Sequence, residues 1–185
     1  NDGFSDLFLS DYGKNTLLEN KGDGTFVDRS KDSGLEGGME CSVGATWLDY
    51  DNDGLLDLYV GNYLNFDPDY KYYYAPDGFP GPLAYDAQPD HLYHNLGGGA
   101  FEEVTEEMGI SDLDGRAMGV GSADYDHDGY MDICVANDHT VNYMWHNDQG
   151  KGFTDLATLS GTGFSQAGEA TVSMSVDYAD YNKDE

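Results

Sequence analysis

Short apolar segments bounded by polar turns recur along the chain and read as β-strands. Leu7/Leu9, Leu58/Val60 and Ile133/Val135 alternate onto one strand face, with Phe8, Tyr59 and Cys134 on the other. Strands apolar on both faces must be covered on both. A second set runs through Val43 and Ala45, Met118 and Val120, and Met174 and Val176, opposite the small residues Gly44, Gly119 and Ser175. Small residues there fit an inner strand in crowded surroundings, or a bulge or close strand approach. Glycine-rich turns, Asn20–Phe26 and Asn95–Phe101, with a looser copy at Asn147–Phe153, read as further hairpins.

These segments repeat. An acidic loop separates the first two strand sets, and its fifth position is occupied by Asp2, Asp53, Asp128 and Asp184, at intervals of 51, 75 and 56 residues. Each interval holds four strand candidates: one before the loop, one after it, and two around the glycine turn. The pattern predicts an all-β chain of antiparallel four-stranded units, the signature of β-propeller blades. The units fall at approximately 1–40, 41–116, 117–170 and 171–185. About three blades' worth is an incomplete ring unless extended or assembled, since propellers have about 4–8 blades.

The loops carry the chemistry. Asp49–Asp57 and Asp124–Asp132 both read D-x-D-x-D-G-x-x-D. Alternate carboxylates in a tight turn converge, and they repel strongly unless a cation lies between them. Hard oxygen donors in this number suit Ca²⁺, with glycine supplying the turn. The expected ligands are the side chains of Asp49, Asp51, Asp53 and Asp57 with the Leu55 carbonyl, and those of Asp124, Asp126, Asp128 and Asp132 with the Tyr130 carbonyl. An EF-hand is excluded: position 12 is Val60 or Val135 where a bidentate Glu is needed, and β-formers flank the loops. The chain opens on the tail of a further copy, with Asp2, Phe4 and Asp6 as expected ligands. It closes on the front of another, with Asp180, Asn182 and Asp184. Glu185 stands where glycine would follow Asp184.

Composition narrows the partners. The 185 residues include 36 Asp+Glu and 8 Lys+Arg, for a formal net charge of −28. That balance argues against nucleic acid, whose binding needs cations on phosphate, and against anionic lipid. No apolar run approaches the ~20 residues of a membrane span. The proposed loops account for 12 of the 36 acids, leaving the rest as solvated acidic surface.

The two D-x-D-x-D-G-x-x-D loops, together with Leu92-Tyr93-His94-Asn95, Met144-Trp145-His146-Asn147 and the run Phe101–Ile110, resemble the FG-GAP/VCBS repeat family of extracellular β-propellers. The similarity is greatest to its bacterial branch related to cartilage acidic protein. The resemblance implies a seven-bladed propeller in related proteins, calcium in blade loops, and a secreted or cell-surface role in adhesion or ligand binding. It implies no catalytic residue.

The interval between the two complete loops exceeds the preceding one by 24 residues. The excess lies within 62–89, which holds all five prolines and many tyrosines. Two readings stay open: a self-packed loop covering a blade edge, or a contact for a glycan or protein. His91 and His94 form H-x-x-H, but their odd offset sends them to opposite strand faces, against a shared zinc site. His127 sits at a non-ligand loop position and is expected in solvent. Cys134 is expected as a small buried residue, and a Cys41–Cys134 disulfide stays open. The functional expectation is a non-enzymatic calcium-binding module, with head-to-tail self-association as one form of it. Its rival is part of a polysaccharide-active enzyme or a lectin-like propeller.

Overall fold

The structure, a computed structural model, describes residues 3–70, 78, 80–111 and 114–181. Its strands are β1 (Leu7–Leu9), β2 (Tyr12–Gly13), β3 (Thr16–Asn20), β4 (Phe26–Asp28), β5 (Glu40–Leu48), β6 (Asp57–Asn62), β7 (His91–Asn95), β8 (Phe101–Glu103), β9 (Ala117–Ala123), β10 (Asp132–Asn137), β11 (Tyr143–Asn147) and β12 (Phe153–Asp155). Single-turn helices α1 (Ser30–Ser33) and α2 (Ala157–Ser160) follow the outermost strands of two sheets.

The strands form three antiparallel sheets among the described residues, in the orders β1-β3-β4, β2-β5-β6-β7-β8 and β9-β10-β11-β12. The second and third contain the expected four-stranded meander, to which β2 adds an edge strand beside β5. The architecture is that of a partial β-propeller. Each complete acidic loop joins the two innermost strands, β5 to β6 or β9 to β10. Its ninth residue, Asp57 or Asp132, begins the second strand opposite Leu48 or Ala123.

The apolar cores lie between adjacent sheets. Leu58, Val60 and Tyr93 of the second sheet pack with Leu17 and Leu35 on one side. Tyr59 and Leu92 turn to the other side, against Ile133, Val135, Trp145 and Phe153 of the third. Leu58/Val60 and Tyr59 thus occupy opposite faces, both covered, as the doubled apolar pattern requires. Burying each of these large side chains contributes about 1.5–3 kcal/mol, so sheet-on-sheet contact is the main source of stability.

The small residues mark where inner strands meet. A methyl group on Gly61 would lie 2.7 Å from Val120 Cγ2 and 2.8 Å from Ala117 Cβ. One on Gly119 would lie 2.7 Å from the Cα of Ser175. Neither gap admits a side chain, so crowding by the next unit explains the composition of this face.

The first sheet has three strands among the described residues, as expected of a unit that opens inside its acidic loop. The structure departs from the sequence pattern near the other end. The segment containing Met174 and Val176 is not a regular strand: Val172 makes one bridge to Asp138, and Ser173 N donates to Asn137 O. No further ladder bond holds it among the described residues, although Ser175 still packs on Gly119.

What is described of the insertion is self-packed. Its base is zipped by Asn65 N donating to Asp86 O and Gln88 N to Tyr63 O. Tyr85 stacks against Phe66 and Tyr70 at centroid distances of 5.6 and 5.7 Å. Buried Arg116 clamps it from the third sheet, donating through Nε to Pro82 O and through Nη2 to Tyr85 O. Tyr72, Tyr73 and Tyr74 lie outside the described residues.

Candidate metal centres

The two complete loops fold by the same local bonds. In the first, Asp49 accepts the N–H groups of Asp53 and Gly54, at 3.1 and 3.0 Å, and Asp53 accepts that of Leu55 at 2.7 Å. In the second, Asp124 accepts from Asp128 and Gly129, at 3.1 and 2.9 Å, and Asp128 from Tyr130 at 2.9 Å. The fourth residues, Asn52 and His127, both take φ 62°, and the glycines at position 6 take φ 87° and 93°. Only glycine adopts that last conformation without strain, which fixes Gly54 and Gly129 as the turn residues. His127 is exposed, as expected.

This turn gathers the carboxylates. Oxygen atoms of Asp49, Asp51 and Asp53 lie within 4.8 Å of one another, as do those of Asp124, Asp126 and Asp128. The ninth residues join through position 3: Asp57 groups with Asp51, and Asp132 with Asp126. Leu55 and Tyr130 occupy the expected place in each loop. Three carboxylates at such spacing repel by about 1 kcal/mol per pair in water and more where solvent is displaced. A hard divalent cation removes that penalty, and the all-oxygen donor set fits Ca²⁺.

Asp57 and Asp132 are fully buried. Asp57 accepts N–H bonds from Tyr50 and Asn95, at 3.1 and 2.8 Å, and Asp132 from Tyr125 and Asn147, at 3.2 and 2.8 Å. Burial nevertheless pushes the Asp57 carboxyl up to about 6, with the Asp51 charge adding to the rise, and shifts Asp132 the same way. The folded value lies above the unfolded one near 3.8, so the metal-free fold binds the proton more tightly than the unfolded chain. Stability is therefore full below the unfolded value and declines as pH rises from about 4 through 6. Metal-free protein is expected to be more stable at pH 5 than at pH 7.5, by about 1 kcal/mol from Asp57 after allowing for solvent screening at the loop, with Asp132 adding in the same direction. Saturating calcium should reverse the order, because the ion needs the ionised carboxylate. Urea titrations at both pH values, with and without calcium, check this; a metal-free protein that gains stability up to pH 7.5 would refute it.

The second motif closes the first. Asn95 Nδ2 donates to Leu56 O at 2.8 Å, and Asn147 Nδ2 donates to Met131 O at 3.0 Å, each spanning position 8 of a loop. Asn20 repeats the arrangement on Ser5 O, and its N–H donates to Asp6 at 2.8 Å. Asp6 thus accepts the equivalent asparagine N–H, but it is exposed where Asp57 and Asp132 are buried. Phe4 is half-exposed and Asp180 exposed. Asp2, Asn182 and Asp184 lie outside the described residues. Asn147 also reaches the neighbouring loop, donating to Tyr50 O at 2.8 Å, while Asn52 Nδ2 donates to Gly129 O at 3.0 Å.

Two side chains that face the loops escape the sequence argument. His94 Nδ1 lies 3.2 Å from Asp57 Oδ1 and 3.7 Å from Asp51 Oδ2. His146 Nδ1 lies 3.2 Å from Asp132 Oδ1 and 3.4 Å from Asp126 Oδ2. His91 points elsewhere, to Glu40 and Glu103, so the opposite-face expectation holds. The available signal was the His-Asn pair recurring in register after both complete loops. Cys41 and Cys134 are free thiols, each half-buried, and burial raises both above the usual thiol range. A separate cleft of about 970 Å³ opens between the first and second sheets, lined by Phe4, Glu19, Arg29, Trp47 and Phe101.

The FG-GAP-like repeat model matches residues 1–60, 77–135 and 124–185. Cartilage acidic protein 1 of Xenopus tropicalis is 38% identical over 64 residues, which cover 34% of this chain and 10% of that protein. Its human counterpart is 37% identical over 60 residues, covering 32% and 9%. The mouse protein is 35% identical over the same length, with the same shares. The matched region thus spans about a tenth of the length of these curated relatives.

Proposed function

The chain belongs to the FG-GAP-like repeat family, and on that premise we propose that it is a calcium-binding propeller module, acting outside the cell in adhesion or ligand binding rather than in catalysis. The observation that carries the reading is the pair of identically bonded loops that bring Asp49, Asp51 and Asp53, and Asp124, Asp126 and Asp128, to within 4.8 Å. Asp57, Asp132 and the carbonyls of Leu55 and Tyr130 complete the proposed shells. Asp2, Phe4 and Asp6, and Asp180, Asn182 and Asp184, are the expected ligands of two further copies of the same site. The bound ion supplies charge neutralisation; the chain supplies the turn, and Asn95 and Asn147 fasten it. Millimolar calcium outside cells suits sites of this kind, whose affinities in extracellular modules are about 10⁻⁴–10⁻³ M.

Equilibrium dialysis against calcium is expected to give one ion for each complete loop. Asp53→Ala should remove one, and Asp53→Ala with Asp128→Ala should remove both. Terbium luminescence, sensitised by Tyr50 and Tyr125, should fall in parallel. Calcium retained in full by the folded double variant would overturn the assignment.

A further inference from the structure

The oxygen-only shell leaves one donor of each loop unused. His94 and His146 each bring an imidazole nitrogen to the two carboxylates at positions 3 and 9, and the three donor atoms in each group lie within 4.8 Å. We propose that Asp51, Asp57 and His94, and likewise Asp126, Asp132 and His146, form a second, nitrogen-containing metal site beside each calcium, taking a borderline divalent ion of the zinc class.

Four observations support it. The first is spacing. A tetrahedron with metal–nitrogen and metal–oxygen bonds of about 2.0–2.2 Å has edges of about 3.3–3.6 Å. The nitrogen-to-oxygen distances are 3.2 and 3.7 Å in one loop and 3.2 and 3.4 Å in the other. The second is the nitrogen itself. His146 Nδ1 is buried and has no aligned hydrogen-bond partner among the described residues, despite facing two carboxylates. A lone pair directed at a metal satisfies such an atom; its Nε2, 3.9 Å from Asp148 Oδ1, then carries the proton toward a carboxylate.

The third is orientation. Tyr50 and Tyr125, equivalent residues at position 2, pack edge-on against His94 and His146, with centroids 5.7 and 6.2 Å apart. Each imidazole is therefore held by its own loop. The fourth is charge. Four aspartates carry twice the charge of one divalent ion, so a calcium leaves each loop with two uncompensated charges that a second cation cancels. Calcium has little use for nitrogen, whereas imidazole suits zinc and its neighbours. Each histidine side chain keeps about a fifth of its surface exposed, leaving a route in and an open coordination position. The first unit is an internal control: Glu19 stands where the others have histidine, and Lys21 and Arg29 occupy it at 2.6 and 2.7 Å.

The inference rests on the calcium reading in sharing two carboxylates of each loop with it, Asp51 and Asp57 in one and Asp126 and Asp132 in the other. Calcium-saturated protein dialysed against zinc, with both metals measured, is expected to hold two zinc ions per chain while keeping its calcium. His94→Ala should lose one zinc and His94→Ala with His146→Ala both, with calcium unchanged. In wild-type protein, two of the five imidazole resonances should shift on zinc addition, and cobalt should give nitrogen-shifted visible bands. This readout needs no variant and holds if the alanine forms do not fold. Zinc that displaces calcium ion for ion, zinc that survives in the double variant, or resonance shifts on His91, His127 or His139 instead, would each overturn the second site. Failure of the calcium reading appears separately, as calcium missing before zinc is added.

Discussion

Removing calcium with EGTA, from protein held at about a hundredfold excess of the ion over its dissociation constant, is expected to lower the melting temperature by roughly 10–20 °C. A ligand that binds the folded chain but not the unfolded one stabilises by about 2.7 kcal/mol per site at a hundredfold excess over its dissociation constant. Two loops give about 5 kcal/mol, and a chain of this size shifts by about 2–4 °C per kcal/mol. The proposed shells assemble only in the folded chain, because Asp57 and Asp132 are placed by strands β6 and β10, not by the turn alone. Without the ion, the carboxylates repel across short gaps at the mouths of the inner hairpins. Calorimetry with metal content verified checks the effect. An unchanged melt after complete removal would leave the ions, if bound, without a structural role.

Asn147→Ala should destabilise the protein by about 3–5 kcal/mol, well beyond the matched Asn95→Ala. Asn147 is fully buried. Its amide donates to Tyr50 O in one loop and Met131 O in the next, and its carbonyl accepts from Gly150 N at 2.7 Å. Alanine leaves three polar groups without that partner, each costing about 1–3 kcal/mol where water cannot replace it. Asn95 makes the equivalent bonds to Leu56 O and from Gly97 N, but no cross-loop bond is found for it among the described residues. Because Tyr50 lies between two proposed ligands of the first loop, Asn147→Ala should also weaken calcium at both loops, whereas Asn95→Ala should weaken one. Urea titration with parallel terbium binding separates them; equal losses in the two variants would show that the cross-loop bond contributes nothing.

The local chemistry of the loops was legible in the residues. Aspartates at positions 1, 3 and 5 and glycine at position 6 act through bonds to neighbours two to five residues away, and such bonds follow from spacing. The strands were legible for a related reason: the doubled apolar pattern of Leu58-Tyr59-Val60 has no stable place except between two sheets. The fate of Met174 and Val176 was not, because their alternation states a capacity for pairing while the ladder bonds must come from a partner strand.

Spacing also correctly separated His91 from His94, yet could not reveal what each would meet. That depends on pairing across 37 residues from His94 to Asp57, and on packing across 97 from Asn147 to Tyr50. A strand's register decides which side chains face a loop, and a slip of one residue would turn His94 away from the carboxylates. The sequence by itself therefore determined the acidic turns, the strands and their two-sided burial, all products of short-range geometry and apolar alternation. Only the tertiary structure decided that a histidine and an asparagine close each loop and that one asparagine joins neighbouring loops, because those contacts exist only once the sheets have paired and stacked.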